Sequence, residues 1–150
     1  MKKGAFIFPG QGSQYAGMAT PLLDNDAVSR LFDEANEILG YDLKDLCTEG
    51  TMQELTQTDV TQPAIFVTSI ALFQLHKNRL PAAQFMAGHS LGEYTALTCA
   101  GAIDFPEALT LVKKRATLMK KAAEQGQGTM LAVQDLQGEV LGNICGKISR

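Results

Sequence analysis

The chain alternates short apolar runs with longer stretches of helical periodicity. The first run, GAFIF at 4–8, is continuous and stops at Pro9 and Gly10, the pattern of a buried strand followed by a tight loop. From Asp26 the period lengthens. Val28, Leu31, Phe32, Ala35, Ile38 and Leu39 recur at three- and four-residue steps, and Gly40 marks the end of a helix. Asp42 is placed to cap a short helix through Cys47. Residues 48–62 are polar and rich in threonine and read as loop, with room for one helical turn.

Pro63 suits the first turn of a helix, where its missing N–H costs nothing. The stretch AIFVTSIALFQLHKNR then runs to a basic end, which suits the negative pole of a helix. It is apolar on most sides, so this helix is expected to be buried, with Pro81 ending the element. AAQFMAG at 82–88 is a second short strand, and Leu91 to Ala100 forms a helix closed by Gly101. Asp104 is the expected cap of a long helix over 105–125, with Pro106 in its first turn. GQG at 126–128 is a break, TMLAVQ at 129–134 a third strand, and 137–147 a weak final helix. Strands alternating with helices imply an α/β fold with a parallel sheet. Three strands make a thin sheet for that many helices, and the expectation is a chain that forms part of something longer.

Composition narrows the function classes. Of 150 residues, 45% are apolar and 19% charged, ordinary for a soluble globular domain. The net charge of −3 carries no basic excess, so nucleic acid is not an expected partner. No apolar run reaches the roughly 18 residues of a membrane span. MKKGAFIFPGQG opens with two lysines, but its apolar run is too short for a signal peptide, and a cytoplasmic location is expected. Cys47, Cys99 and Cys145 are odd in number and lack metal-like spacing, which fits reduced thiols. With His76 and His89 the only histidines, no metal site is expected.

The chemistry-bearing stretch is GHSLG at 88–92, a G-x-S-x-G pentapeptide between an expected strand and an expected helix. A sharp strand-to-helix turn exposes such a serine as a nucleophile, and the N–H of Leu91 is then placed to bind an oxyanion. The plainer alternative is that Ser90 only caps the helix, which serine does well. A nucleophilic serine also needs a base. His89 adjoins Ser90 on a tight turn, so their side chains diverge. His76 falls at the basic end of its helix, and no histidine follows Ser90 in the chain. FPGQGSQ at 8–14 follows the first strand and should lie on the same sheet edge as the serine turn. It lacks the third glycine of a dinucleotide loop and the Lys-Ser/Thr of a P-loop. KKRATLMKK contains Arg115 among five basic residues, which by itself reads as a solvated helix face.

FPGQGSQ, TQPAI at 61–65, GHSLGE at 88–93 and RATLM at 115–119 occur in an order that resembles the malonyl-CoA:acyl carrier protein transacylases. These include the discrete acyltransferases of fatty acid and polyketide synthesis. The resemblance covers residues 4 to about 134. It implies an α/β-hydrolase-like core over 1–126 and the beginning of an inserted ferredoxin-like small subdomain over 127–150. Ser90 would be the nucleophile, and the N–H groups of Gln11 and Leu91 the oxyanion hole. Arg115 would bind the free malonyl carboxylate, with Gln62, His89 and Met119 lining the acyl pocket. No cofactor is implied. Malonyl-CoA would be the substrate, and acyl carrier protein the partner, its phosphopantetheine thiol the acceptor. The resemblance also implies a histidine base and a residue orienting it, both beyond position 150. The chain is therefore expected to be part of a longer enzyme and inactive alone. An acyl hydrolase on the same scaffold and a non-catalytic binding module are the alternatives.

Overall fold

The computed structural model describes residues 4–80, 83–126, 133 and 135–148. Two strands, β1 (Ala5–Phe8) and β2 (Phe85–Gly88), pair in parallel with Phe8 opposite Gly88. Seven α-helices accompany them among the described residues: α1 (Asp26–Leu39), α2 (Leu43–Thr48), α3 (Met52–Leu55), α4 (Thr58–His76), α5 (Gly92–Cys99), α6 (Phe105–Glu124) and α7 (Gly138–Ile148). The α/β class and the parallel pairing agree with expectation. The expected third strand at 129–134 lies outside the described residues apart from Val133. No described helix is long and apolar enough to cross a membrane.

Helix α1 has the stripe the periodicity called for, with Val28, Leu31, Phe32, Ala35 and Leu39 buried. Asn25 caps its start and Gly40, at φ +78°, its end. Lys113 of α6 donates to the carbonyls of Ile38 (3.0 Å) and Leu39 (2.8 Å), satisfying groups the helix leaves open. Asp42 caps α2 as expected, accepting from the N–H of Asp45. Asp104 precedes α6 but makes no side-chain cap bond, against expectation.

Helix α4 is the centre of the molecule, touching α1, α2, α3, α5 and α6, and residues 61–71 are buried all round. It begins at Thr58, so Pro63 lies inside it rather than in its first turn. Proline deprives the carbonyl four residues back of its donor. That carbonyl belongs to Asp59, and the hydroxyl of Tyr41 donates to it at 3.3 Å. Burial, and then the Asp59 charge, hold the Tyr41 hydroxyl protonated well above its ordinary range.

The sheet packs on α4 through Phe6 and Phe8, whose rings meet Phe73 edge-on at centroid distances of 5.2 and 6.0 Å. Its other face is bare: Ile7 is 78% exposed and Phe85 56%. Parallel strands place their following loops at one end of the sheet, so 9–14 and 89–92 emerge side by side.

Candidate functional site

Two glycines let the two loops meet, and a third lets the serine turn close on itself. A Cβ at Gly10 would lie 2.6 Å from the carbonyl oxygen of His89. One at Gly92 would lie 2.3 Å from the carbonyl oxygen of Phe8, and one at Gly88 1.9 Å from the carbonyl carbon of Gly92. All three obstacles are backbone, which cannot swing aside as a side chain can. The His89 N–H donates to the Phe8 carbonyl at 3.1 Å, tying the serine turn to the end of β1. His89 itself is exposed above Gly10.

Ser90 sits at φ +54°, in the left-handed region that non-glycine residues rarely adopt. The strain amounts to about 1–2 kcal/mol. It comes from the turn: Gly92 N–H closes onto His89 O at 2.9 Å and Glu93 N–H onto Ser90 O at 3.2 Å. Among the described residues no hydrogen bond uses the N–H of Leu91, whose side chain is fully buried. The residue before α5 is Leu91, and no side chain caps that helix. The Ser90 hydroxyl is thus exposed and is not spent on a cap.

Its partner is Arg115. Nη2 of the guanidinium donates to Ser90 Oγ at 2.9 Å, and Nη1 donates to Gln62 Oε1 at 2.5 Å. Gln62, fully buried on α4, turns its amide nitrogen to Met119 Sδ (3.3 Å) and Gln11 Oε1 (3.4 Å). Arg115 and Met119 share one face of α6, being four residues apart. Ser90, Arg115, Gln62, Met119 and Gln11, nominated from four separate stretches of sequence, therefore form one connected cluster.

The basic run on α6 divides by role. Lys113 closes α1, and Lys120 pairs with Asp59 at 2.7 Å, which raises the lysine's pKa. Lys114 and Lys121 are exposed. Arg115 is half-buried and has no carboxylate partner among the described residues. A guanidinium with only neutral partners, beside an exposed hydroxyl, has the chemistry to pair with an anion. Tyr94 adds a ring 5.9 Å from the Arg115 Cζ, at the outer edge of cation–π range. Sequence reasoning missed Tyr94. Its signal was its place four residues after Ser90, one helical turn on. Neither histidine is hydrogen-bonded to Ser90 Oγ among the described residues, and His76 is the exposed last residue of α4.

Residues 5–145 match the family described as acyl transferase domain. Malonyl CoA-acyl carrier protein transacylase of Haemophilus influenzae is 45% identical over 148 residues, covering 97% of this chain and 47% of that protein. The crystal structure of FabD from Acinetobacter baumannii matches with a TM-score of 0.84 at 41% identity, over 97% of this chain and 46% of that one. PlMCAT:AntF, a type II PKS acyl-carrier protein in complex with its malonyl-transacylase, matches with a TM-score of 0.75 at 46% identity, over 81% and 40%. The chain spans about half the length of the curated relatives it matches. Fold and sequence agree on one lineage: the chain belongs to the acyl transferase domain family, alongside the malonyl CoA-acyl carrier protein transacylases it resembles.

Proposed function

We propose that this chain supplies the nucleophile and the acyl-selecting cation of a malonyl-CoA:acyl carrier protein acyltransferase. The observation that carries the reading is the 2.9 Å contact between Arg115 Nη2 and Ser90 Oγ. It puts a carboxylate-binding group within one small acyl chain of the attacking oxygen. Ser90 Oγ attacks the thioester carbonyl of malonyl-CoA, and the oxyanion that forms is held by the N–H groups of Leu91 and Gln11. The C–S bond breaks, CoA leaves as the thiol, and a seryl ester remains. The phosphopantetheine thiol of acyl carrier protein attacks that ester in turn and restores the serine.

Arg115 selects the cargo. A malonyl group offers its free carboxylate to the guanidinium, whereas an acetyl group leaves that cation unpaired, a penalty that discriminates strongly. This selection also disfavours the simple acyl hydrolase. The same reading assigns 1–126 to the catalytic core and 127–150 to the start of a small subdomain. The Ser90 proton needs a base that neither His76 nor His89 is positioned to be. Losing the base costs about six orders of magnitude in such sites, so multiple turnover by this chain alone is expected to be undetectable.

Intact mass after prolonged incubation with malonyl-CoA tests the reading. One malonyl group should add slowly to the chain and not to Ser90→Ala, and Arg115→Ala should lose the preference for malonyl- over acetyl-CoA. An adduct that survives Ser90→Ala, or a preference that survives Arg115→Ala, refutes it. No adduct at all would favour a binding module. Transfer to holo-carrier protein at enzyme-like rates would show that the chain needs no further base.

A further inference from the structure

We infer that Met119 and Gln62 form a positioning relay: the thioether sets the direction of the buried Gln62 amide, and the amide in turn holds the Arg115 guanidinium in one orientation. The inference deepens the reading of Arg115 as the carboxylate-binding group and rests on it. A glutamine amide can be turned end for end with almost no change of shape, so its neighbours decide which end points where. At Gln62 the neighbours are unequal. Nε2 faces Met119 Sδ at 3.3 Å and Gln11 Oε1 at 3.4 Å, while Oε1 accepts from Arg115 Nη1. A thioether sulfur accepts and never donates, and a guanidinium donates and never accepts. Turning the amide over would set NH2 against guanidinium N–H and an oxygen against sulfur, with the Gln62 side chain fully buried and no solvent to relieve either clash.

Neutrality matters as much as direction. A glutamate at position 62 would pair with Arg115 bidentately and take the fork that a ligand carboxylate needs. The amide fixes the guanidinium with one bond and leaves its charge uncompensated. The same amide reaches Gln11, so the carboxylate-binding end of the site and the loop after β1 are joined through one buried side chain.

Two measurements on this chain test the relay. Nitrogen-15 NMR of the arginine guanidinium reports its rotation directly, with the Arg115 signal assigned by its loss in Arg115→Lys. Wild-type Arg115 should show slow rotation and resolved Nη signals. Met119→Leu, which keeps the volume and removes the acceptor, and Gln62→Leu should both average them. Titration with malonate and with acetate is the second measurement. Malonate should bind more tightly than acetate. Met119→Leu should weaken malonate about fivefold, the equivalent of one neutral hydrogen bond. Gln62→Glu should weaken it about tenfold or more. A merely structural role for these residues would lower stability without changing Arg115 rotation or the malonate-to-acetate ratio. Wild-type rotation and affinity in Met119→Leu would overturn the relay. If the variants free Arg115 but wild type does not prefer malonate, the relay stands and the carboxylate reading falls.

Discussion

Adding one methyl group at Gly92 should damage this molecule about as much as a typical core deletion. The substitution Gly92→Ala is stabilising in an ordinary helix, by about 1 kcal/mol, because alanine restricts the unfolded chain and glycine does not. Here the new Cβ would sit 2.3 Å from the Phe8 carbonyl oxygen and 2.7 Å from that of Pro9. Relief requires the start of α5 and the end of β1 to part by about 1 Å, a forced fit at the upper end of the overpacking range. That movement strains the bond from His89 N–H to the Phe8 carbonyl, 3.1 Å long, which ties the serine turn to the sheet. The net cost is about 2–4 kcal/mol. At this chain length it corresponds to a Tm lower by roughly 5–12 °C. Urea unfolding followed by circular dichroism measures it. Gly142→Ala is the internal control, since it lies within α7 and its Cβ would meet nothing within 4 Å. It should raise stability slightly. If Gly92→Ala also raises it, the close approach of the two loops is not what shapes the serine turn.

Other consequences are equally measurable. Ser90→Gly should raise the unfolding free energy by about 1 kcal/mol through release of the left-handed strain, while abolishing any acyl adduct. Tyr41→Phe should cost about 1–2 kcal/mol by leaving the Asp59 carbonyl without a donor, and less when combined with Pro63→Ala, which restores the helical N–H; equal costs in both backgrounds would refute that role. Asp42→Ala should cost about 1 kcal/mol at neutral pH. Hydrogen bonds from the Asp45 N–H and then from Asn36 lower the Asp42 pKa. Its stabilisation is therefore full above the ordinary carboxylate pKa and lost as pH falls through the lower folded value, so the gap between Asp42→Ala and wild type in acid unfolding should close below about pH 4. Burial pushes the Cys47 thiol up to about 12, so a thiol reagent at pH 8 should reach it only through unfolding, at a rate that rises with urea.

The site was legible where chemistry depends on local spacing. GHSLG between a strand and a helix announced a strained bend, and Ser90 has the positive φ that such a bend requires. Periodicity delivered α1 to the residue, with Gly40 at its end. What the sequence hid were contacts between distant positions. Pro63 looked like a helix start because nothing local announces that Tyr41 will serve the Asp59 carbonyl. Asp104 looked like a cap, yet its side chain makes no such bond. Five cations in KKRATLMKK looked equivalent until packing gave Lys113 to α1, Lys120 to Asp59 and Arg115 to Ser90. Gln62 could be nominated as a pocket residue, but the direction of its amide follows from a sulfur 57 positions away.

Lys113 and Arg115 stand two residues apart on one helix, hence about 200° apart around its axis. One is pinned to the closing carbonyls of α1 and the other reaches the serine. Any twist of α6 that moved the guanidinium would tear the lysine from its moorings on the far side. The helix behaves as a spindle locked at both flanks. Any displacement of the guanidinium therefore has to come from the torsions of the Arg115 side chain, against the hold of Gln62, while the backbone beneath it stays still.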